Sequence, residues 1–320
     1  MIRNSISYIP VLALLFIAIF VSLSIGSEYI PVSVLWSEGS ETYLKEIILT
    51  LRLPRVINAI TVGALLSLAG LLIQNLVKNP LADPYILGVS GASASVQIII
   101  ISSGLVLPFW LFVICGFIAS VLSLLLLIAI SSKNGLKTNN LLLSGVVIAF
   151  AYGAIISLVL TISPSSSTKS MLFWLMGDLS YTHLSMFPIL IMAVGVVWVH
   201  KHHKELDVLA RGELFAKKCG VNVKSINLTL LITSSVFTAI AVSMVGTIGF
   251  VGLVVPHMAR LIVGNCHAHL IPLSAILGAL VLLVADTVSR TIVAPIQLPV
   301  GIFTALFGVP VFLYLMSKRS

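Results

Sequence analysis

The chain has 320 residues, of which 59% are hydrophobic and 9% charged, and its mean hydropathy is +1.16. Soluble domains are nearer half apolar and a quarter charged, so the composition excludes a water-soluble globule and indicates a bilayer environment. The net charge of +8 would also fit a nucleic-acid-binding protein, but basic cytoplasmic loops explain it in a membrane protein.

Ten apolar runs predict an all-α polytopic membrane protein in which residues 1–320 form a single transmembrane domain. A span needs about 20 apolar residues, and the runs are 8–26, 56–76, 87–103, 108–131, 140–161, 184–200, 226–245, 248–264, 270–290 and 300–316. The first run is too long for a cleavable signal and no small-residue cleavage site follows it, so we interpret it as a span. The third and eighth runs are short and rich in glycine.

The distribution of basic residues predicts the orientation of these spans. With the N-terminus inside, the C-terminus returns inside, and 13 of the 18 Lys and Arg residues fall on the cytoplasmic side. The five that remain outside are Lys45, Arg52, Arg55, Lys169 and Arg290. This positive-inside bias favours cytoplasmic termini. It also makes residues 27–50 an acidic outer loop that is long enough for a short helix.

The second span carries small residues on one helical face. Gly63, Ser67 and Gly70 follow each other at spacings of four and three, and Gln74 lies one turn further along and needs a hydrogen-bond partner. Small residues on a membrane helix either let a neighbouring helix approach closely or leave room for a polar path. The sequence leaves both alternatives open.

The stretch NPLADPYILGVSGASAS, residues 79–95, interrupts the apolar pattern. Asp83 before Pro84 is typical of a helix N-cap followed by proline at the first helical position. The third span then begins with small residues, Gly91 among them, for which helix packing and a polar path again stay open.

Two later stretches place polar or irregular backbone inside apolar surroundings. GTIGFVGLVVPHMAR, residues 246–260, combines three glycines with Pro256 and should therefore be covered by protein rather than lipid, with His257 and Arg260 towards the cytoplasmic end. Asp286 and Arg290 lie four residues apart and should form an ion pair. Alternatively, Arg290 faces an acidic partner outside.

Other kinds of site find little support in the sequence. A disulfide framework is not expected from Cys115, Cys219 and Cys266. The clusters His200, His202, His203 and Cys266, His267, His269 lack a recognised zinc spacing and fit ordinary polar residues at a membrane edge. The sequence contains no nucleotide-binding loop and no hydrolase motif, so ATP, if it drives this protein, binds to another chain.

The stretch RGELFAKKCGV, residues 211–221, is unusually charged for this chain and predicts a short cytoplasmic helix. Leu214 and Phe215 would give this helix an apolar side, and Glu213 and Lys217 would form an i,i+4 pair. Gly220 suits the helix end. A solvated loop helix is the alternative interpretation of the same pattern.

Several stretches together resemble one protein family. LRLPR, NPLADPYILGVSGA, FWLMGDLS, GELFAKKCGV, GTIGFVGLVVPHMARLIVG, ADTVSRT and LPVGIFTALFGVPVFLYLM are similar to the permease subunits of ABC importers for iron–siderophores, haem and vitamin B12. The resemblance runs from about residue 47 to the C-terminus. It implies a type II ABC importer permease fold with ten transmembrane helices.

The resemblance also implies roles for individual residues. The helix at 211–221 matches the coupling helix that docks into the ATPase, with Arg211, Gly212, Glu213, Phe215, Ala216, Lys217 and Gly220; many relatives have Leu where this chain has Cys219. Arg52 and Arg290 match arginines that meet acidic residues of a binding protein. Leu81, Thr138 and Asn139 match a cytoplasmic gate. Gly63, Ser67, Gly70 and Gly91 would lie near the translocation path, and His257 would be architectural.

The partners and the substrate follow from the same resemblance. It implies a dimer of cytoplasmic ATPases carrying ATP and Mg²⁺, a second permease subunit of the same or a similar chain, and an extracytoplasmic binding protein. This chain itself is expected to bind no cofactor, no metal and no nucleic acid. We expect it in a bacterial inner membrane, with an iron chelate, a ferric siderophore first, in transit. Haem and vitamin B12 are the alternatives.

Alternating access driven by ATP is the expected mechanism, and three rival functions predict different features. An ion-coupled secondary transporter would need charged residues at mid-membrane, for which Asp286 is the candidate. An intramembrane enzyme would need paired catalytic groups, which the sequence does not offer. A scaffold or sensor would fail to stimulate a partner ATPase.

Overall fold

A computed structural model describes residues 8–26, 28–36, 42–132, 138–180 and 185–317. Part of the predicted acidic outer loop, residues 27 and 37–41, lies outside these described residues, as does residue 184 of the sixth predicted span. The α-helices are α1 Tyr8–Ser24, α2 Thr42–Glu46, α3 Leu53–Val77, α4 Val89–Ser102, α5 Phe109–Ser132, α6 Thr138–Ile162, α7 Ser165–Leu175, α8 Met186–Lys201, α9 His203–Ala210, α10 Glu213–Lys218, α11 Val223–Val245, α12 Val251–Val263, α13 His267–Ser289 and α14 Val300–Ser317. Two 3₁₀-helices, Val32–Trp36 and Pro84–Leu87, and a π-helix, Ile47–Arg52, complete the helical elements of the described residues.

Each of the ten predicted spans coincides with one helix. Within the described residues, five helical segments are long and apolar enough to cross a membrane: Tyr43–Val77, α5, α6, α11 and α13. Helices α8 and α9 meet at a bend of 58° and would make a sixth span as a pair. Shorter apolar helices occupy the other four predicted spans, at α1, α4, α12 and Val300–Tyr314. The all-helical prediction is therefore confirmed, and the spans that were short in sequence are short in the structure.

Helix α3 forms the centre of the bundle. Its apolar window is 89% buried, and it packs against α11, α12 and α13. Helix α6, by contrast, is only 17% buried, although it is equally apolar in character. An apolar helix with most of its side chains uncovered fits a lipid environment or a contact with another apolar surface, so α3 and α6 are the most and the least covered of these five segments.

The small residues of α3 are used for close helix packing. A Cβ atom at Gly63 would lie 2.2 Å from the carbonyl oxygen of Gly278 on α13, and one at Gly70 would lie 1.7 Å from that of Gly252 on α12. Between them, the Ser67 hydroxyl donates to the carbonyl oxygen of Ser274 at 2.8 Å. Neighbouring helices thus fill the space beside Gly63, Ser67 and Gly70, which supports the packing interpretation, and the place of these residues near the translocation path stays a prediction.

Gly91 on α4 has the same use. A Cβ atom there would lie 2.9 Å from the Cβ of Tyr152 on α6, so this glycine also allows a close helix contact rather than lining an open space. The packing alternative thus accounts for all four small residues for which the sequence left two roles open.

The irregular backbone between α11 and α12 is covered by protein, as predicted. Gly246 has a φ of +77°, and a Cβ atom there would meet the carbonyl oxygen of Trp174 at 1.9 Å. The Tyr85 hydroxyl braces the same segment, since it donates to the Ile248 carbonyl and accepts from the Ile248 N–H, both at 2.9 Å. These contacts satisfy backbone groups that the broken helix leaves open.

The turn before Tyr85 also has its predicted form. The Asp83 carboxylate accepts a hydrogen bond from the Tyr85 N–H at 2.8 Å, and Pro84 is the first residue of the 3₁₀-helix that follows. Gln74 likewise has its expected partners: its amide donates to the carbonyl oxygen of Leu253 at 3.1 Å and accepts from Arg260 at 2.5 Å. Both polar groups are thereby satisfied at the same end of the bundle.

Candidate functional site

Helices α9 and α10 form a short segment that leaves the bundle at the end predicted to be cytoplasmic. Leu206 and Leu209 of α9 and Ala216 of α10 are fully buried and hold the segment against the bundle. Gly212, between the two helices, has a φ of +116°, a backbone conformation that a residue with a Cβ rarely adopts. The predicted helix at 211–221 is thus present as Glu213–Lys218, and Gly220, with a φ of +81°, follows its end.

The outer face of α10 carries two apolar side chains that the described chain leaves exposed to different degrees. Leu214 is 79% exposed and Phe215 is 40% exposed. The guanidinium of Arg211 lies 5.7 Å from the centre of the Phe215 ring, a distance at which a cation is attracted to the ring face. Ala216, which was predicted to belong to the docking surface, faces the bundle instead, and Lys217 remains exposed.

The charge pairing of α10 differs from the prediction. Glu213 pairs with Lys78 at the end of α3, at 3.3 Å, and both side chains are 40% exposed. A pair between Glu213 and Lys217 does not occur in the described structure. The i,i+4 spacing favours a pair within one helix, but Lys78 has a φ of +57°, and this turn brings its side chain towards α10.

The predicted gate residues lie in a turn and at the start of a helix. Leu81 is exposed in the turn after α3, whereas Thr138 and Asn139 begin α6. Next to Leu81, burial raises the pKa of the Asp83 carboxyl to about 6, while the hydrogen bond that it accepts from the Tyr85 N–H lowers this pKa. The residues 133–137 that precede Thr138 lie outside the described structure, and the gate stays a prediction.

The opposite end, predicted to be extracytoplasmic, contains a buried cluster of charges around Asp286. The Nε of Arg55 lies 2.9 and 3.1 Å from the two carboxylate oxygens of Asp286, and its Nη2 lies 2.9 Å from Oδ1. The Nε of Arg290 lies 3.8 Å from Oδ2. The predicted Asp286–Arg290 pair is therefore confirmed, but the nearer partner of Asp286 is Arg55 on α3.

Both arginines that were predicted to meet a binding protein have partners within the chain. Arg52 is 7% exposed and donates to the carbonyl oxygens of Leu23, Ser24 and Glu28 at 2.7–2.8 Å. Arg290 is 4% exposed and donates to the carbonyl and hydroxyl oxygens of Ser22. This structure holds both guanidinium groups inside the chain, and their contact with a binding protein stays a prediction.

A cavity of about 1110 Å³ opens beside this charge cluster. Its lining combines cations, aromatic rings and only two carboxylates. The cations are Arg52, Arg55, Lys169 and Arg290, the carboxylates are Glu28 and Asp178, and Phe109, Phe112, Phe173 and Trp174 are among the aromatic residues. With Asp286, which lies behind the lining and pairs with Arg55 and Arg290, four cations stand against three carboxylates, and this small positive excess favours anions.

Arg55 and Lys78 are the participants that sequence reasoning missed. Arg55 is separated from Asp286 by 231 residues, and no local pattern links the two. A buried acid near a membrane boundary does indicate that a cationic partner is needed. The stretch LRLPR contains two candidates, Arg52 and Arg55, at the same predicted depth. That signal could have identified Arg55 as a third member of the cluster.

The histidine clusters are occupied by contacts within the chain. His202 pairs with Glu205, and His267 pairs with Asp207 at 2.6 Å. The rings of His200 and His203 stack with their centres 5.3 Å apart. Cys115, Cys219 and Cys266 are free thiols. Within the described residues, no group of three His, Cys, Asp or Glu could hold a metal ion.

Comparison with known proteins supports one assignment. The family model described as the FecCD transport family matches residues 14–318. The hemin transport system permease HmuU of Yersinia pestis is 35% identical over 96% of this chain and 94% of its own length. The cobalamin import permease BtuC of Halobacterium salinarum is 40% identical over 85% and 73%. A solved structure, described as an inward-facing ABC transporter assigned to the metal-chelate type, superposes with a TM-score of 0.87, 30% identity and 98% and 99% coverage.

Proposed function

Because this chain belongs to the FecCD transport family, whose members named above are ABC importer permeases, we propose that it forms the translocation path for a ferric siderophore. In this proposal, two cytoplasmic ATPases carry ATP and Mg²⁺, and a second permease subunit, the same chain or a similar one, completes the path. A binding protein delivers the chelate from outside. The chain lies in a bacterial inner membrane with both termini in the cytoplasm.

The exposed apolar side of α10 is the observation that carries this proposal. Leu214 and Phe215 are held out from the bundle by a helix whose opposite side, at Ala216, is fully buried. Exposed apolar side chains outside the lipid-facing spans mark a surface that a partner protein covers. Since the similar solved structure is described as an ABC transporter and this sequence has no nucleotide-binding loop of its own, we assign this surface to a separate ATPase.

The mechanism assigns each part of the chain a mechanical role. ATP binding and hydrolysis change the distance between the two ATPases, and α10 follows the groove in which it docks. The permease responds only through contacts that differ between nucleotide states, because a ligand shifts an equilibrium by its differential affinity for two states. The outer and inner openings of the path then alternate as the two permease subunits rock against each other.

The lining of the outer cavity supports an anionic chelate as substrate. Four cationic side chains around this space stand against Glu28, Asp178 and the Asp286 behind them, which leaves a small positive excess, and ferric chelates of catecholate or carboxylate siderophores carry negative charge. The aromatic rings suit flat, partly apolar ligands. Haem has the same two properties, and HmuU is named for hemin transport, so haem is the second candidate. Vitamin B12, for which BtuC is named, is the third.

An ion-coupled secondary transporter receives less support from the charge cluster. A coupling acid must bind and release its ion during transport. Asp286 is fully buried and is bound by Arg55 and Arg290, which leaves its carboxylate no free face for an ion. Uptake that survives ATP depletion but stops with an uncoupler would favour this rival.

Uptake in cells tests the substrate. Cells deleted for this chain and complemented with it would be offered radiolabelled ferric siderophores, haem and cobalamin separately under iron starvation. Restored uptake of a ferric siderophore class supports the proposal. Restored uptake of haem or cobalamin alone would overturn the siderophore assignment and leave the importer assignment intact.

A double substitution tests the coupling surface. Replacing Glu213 and Phe215 by alanine should uncouple ATP hydrolysis from uptake, since both side chains belong to the exposed part of α10. Lys224→Ala is a matched control, because Lys224 is an exposed cation just beyond this helix. Normal uptake in the double variant, at a normal amount of protein in the membrane, would contradict docking through α10.

A further inference from the structure

Two polar links between the α9–α10 segment and the bundle differ in how far they reach into the bundle interior. The exposed link is the ion pair of Glu213 with Lys78, both 40% accessible to solvent. The other link begins at Asp207 in α9, whose side chain is 31% exposed, and passes through the buried His267 ring to two helices of the bundle. It consists of Asp207, His267 and Asn75, and we call it the Asp207 link.

Asp207 holds the first residue of α13 by two hydrogen bonds. Its Oδ1 accepts from the His267 backbone N–H at 2.8 Å and from the His267 ring Nδ1 at 2.6 Å. The other ring nitrogen, Nε2, lies 3.0 Å from the amide nitrogen of Asn75 near the end of α3. Because an amide nitrogen only donates, Nε2 is the acceptor, and the imidazole joins α9 to α3 through α13.

This arrangement replaces a local helix cap with one supplied by another element. Cys266 precedes α13, and its side chain makes no capping hydrogen bond. The first N–H groups of a helix need acceptors, and here Asp207 supplies one from α9. His267 is only 3% exposed. If α9 moved alone, the His267 N–H and the buried ring Nδ1 would lose their acceptor, and water would have to reach a ring that is 4% exposed to replace it, so α9 and the start of α13 should move together.

Helices α13 and α3 are in turn joined along their whole length. At one end they share the His267–Asn75 contact, and at the other they share the bonds between Arg55 and Asp286. Between these ends, Gly63 and Gly278 bring the two backbones into close contact. Asp286 lies 19 residues after His267 in α13, so with a rise of about 1.5 Å per residue a displacement applied at His267 would be carried roughly 29 Å to the outer charge cluster.

We propose that the Asp207 link transmits movement of the coupling helix to the paired helices α3 and α13, and that Asp207 and His267 are positioning residues for transport. This inference rests on the proposed function. Coupling between two sites requires an element that has two arrangements, and each site must influence which arrangement is adopted. Here that element is the α3–α13 pair, with Asp207 at one end and the Asp286 cluster at the other. The exposed Glu213–Lys78 pair is not needed for this transmission, because solvent can replace either partner.

The test uses the complete transporter in vesicles, with its ATPase and binding protein, and measures chelate uptake per ATP hydrolysed. The probe is whichever of ferric siderophore, haem or cobalamin the wild type transports. In Asp207→Ala, ATP hydrolysis should stay near the wild-type rate, because Leu214 and Phe215 still dock. Uptake per ATP should fall roughly ten-fold, a size typical of coupling between two sites.

Three further variants separate transmission from simple loss of structure. Asp207→Asn keeps an oxygen that accepts from the His267 N–H and should restore at least about half of the coupling lost in Asp207→Ala. Glu205→Ala, which removes a more exposed acid of the same helix, should leave uptake per ATP unchanged. Asn75→Leu breaks the link at α3 without touching α9 and should lower uptake per ATP even if Asp207→Ala fails to assemble.

The outcomes distinguish this inference from the function on which it rests. Absence of ATP-dependent uptake of every probe by the wild type would overturn the proposed function. A wild type that couples normally, together with Asp207→Ala or Asn75→Leu variants that couple equally well, would overturn the Asp207 link alone. A parallel loss of uptake and of ATP hydrolysis in both variants would also overturn it, because that result indicates general loss of structure.

Discussion

Charged side chains are usually exposed and apolar side chains are usually buried, and each end of this molecule departs from one of these two rules. At the predicted outer end, four charged groups, Arg52, Arg55, Asp286 and Arg290, are buried and bound within the chain. At the predicted cytoplasmic end, Leu214 and Phe215 are apolar and exposed. Exposed apolar side chains gain free energy when a partner covers them, whereas buried charges are stable only with the partners they already have.

The difference indicates which end is complete in the isolated chain. The outer end closes itself through ion pairs and carbonyl contacts, so substitutions there should act on the stability of the chain. In our proposal the α10 end is covered by another protein, so substitutions there should act on assembly and transport and leave the chain stable. The free energy of unfolding of the isolated chain therefore separates the two regions.

The largest loss of stability is expected for Asp286→Ala. The substitution leaves Arg55 and Arg290 buried without their counter-charge, which should lower the free energy of unfolding by ~3–5 kcal/mol. Urea titration of the purified chain in detergent measures it. Glu46→Ala, an exposed acid near the same end, is the matched control and should change stability by less than about 0.5 kcal/mol. Equal free energies of unfolding for the two variants would mean that Asp286 does not stabilise the outer cluster.

A smaller loss is expected between the two ends, at Gly70→Ala. The added Cβ would lie 1.7 Å from the carbonyl oxygen of Gly252, so α3 and α12 must separate, at a cost of about 1–3 kcal/mol. Gly153→Ala on α6 is the control, because nothing lies within 4 Å of the added methyl group. This control should stabilise the chain by up to about 1 kcal/mol through helix propensity. The same titration compares them, and a Gly70→Ala variant as stable as Gly153→Ala would contradict close packing at the centre.

The sequence was sufficient for features that depend on neighbouring residues. All ten apolar runs correspond to helices, and Asp83 caps the 3₁₀-helix that its position before Pro84 predicts. Apolar run length and cap chemistry are local properties, so they can be read without the fold. Helix α12 begins at Val251, three residues after the predicted start of its span, because Gly246 and Phe250 adopt positive φ values that an apolar pattern does not report.

Pairings between distant segments could not be predicted in the same way. Asp286 was paired with Arg290 by spacing, but Arg55 is nearer in space, and Glu213 is bound by Lys78 rather than Lys217. Helix α7 was missed because SSSTKSMLFWL is too polar and too short for a span. A helical period defines which residues share a face, but it does not define which helix that face meets. The small residues of α3 show the same limit, since only the positions of Gly252 and Gly278 decide between packing and a path.

At the α10 end, the Glu213–Lys78 pair should contribute little to the stability of the chain. Both side chains are 40% exposed, and exposed ion pairs contribute about 0–1 kcal/mol. A double-mutant cycle with Glu213→Gln and Lys78→Met, followed by urea titration, measures the pair directly. The coupling energy should fall further at high salt, because screening acts on exposed charges. If the coupling energy of this pair were as large as the loss of stability in Asp286→Ala, the charge pairs at the two ends would stabilise the chain equally, which would contradict the difference between them.

The smallest change in stability, and the sharpest contrast, is expected for Leu214→Ser. Because Leu214 is 79% exposed in the isolated chain, its side chain contributes almost nothing to folding, and the free energy of unfolding should change by less than about 0.5 kcal/mol. In the assembled transporter the same leucine is expected to be buried against the ATPase. Its replacement by serine should therefore weaken ATPase binding by about 1–3 kcal/mol, the range for burying one leucine side chain. Binding of the permease to the ATPase in detergent measures this. Loss of stability without loss of binding would reverse the roles assigned to the two ends, because Leu214 would then belong to the fold and not to the surface that a partner completes.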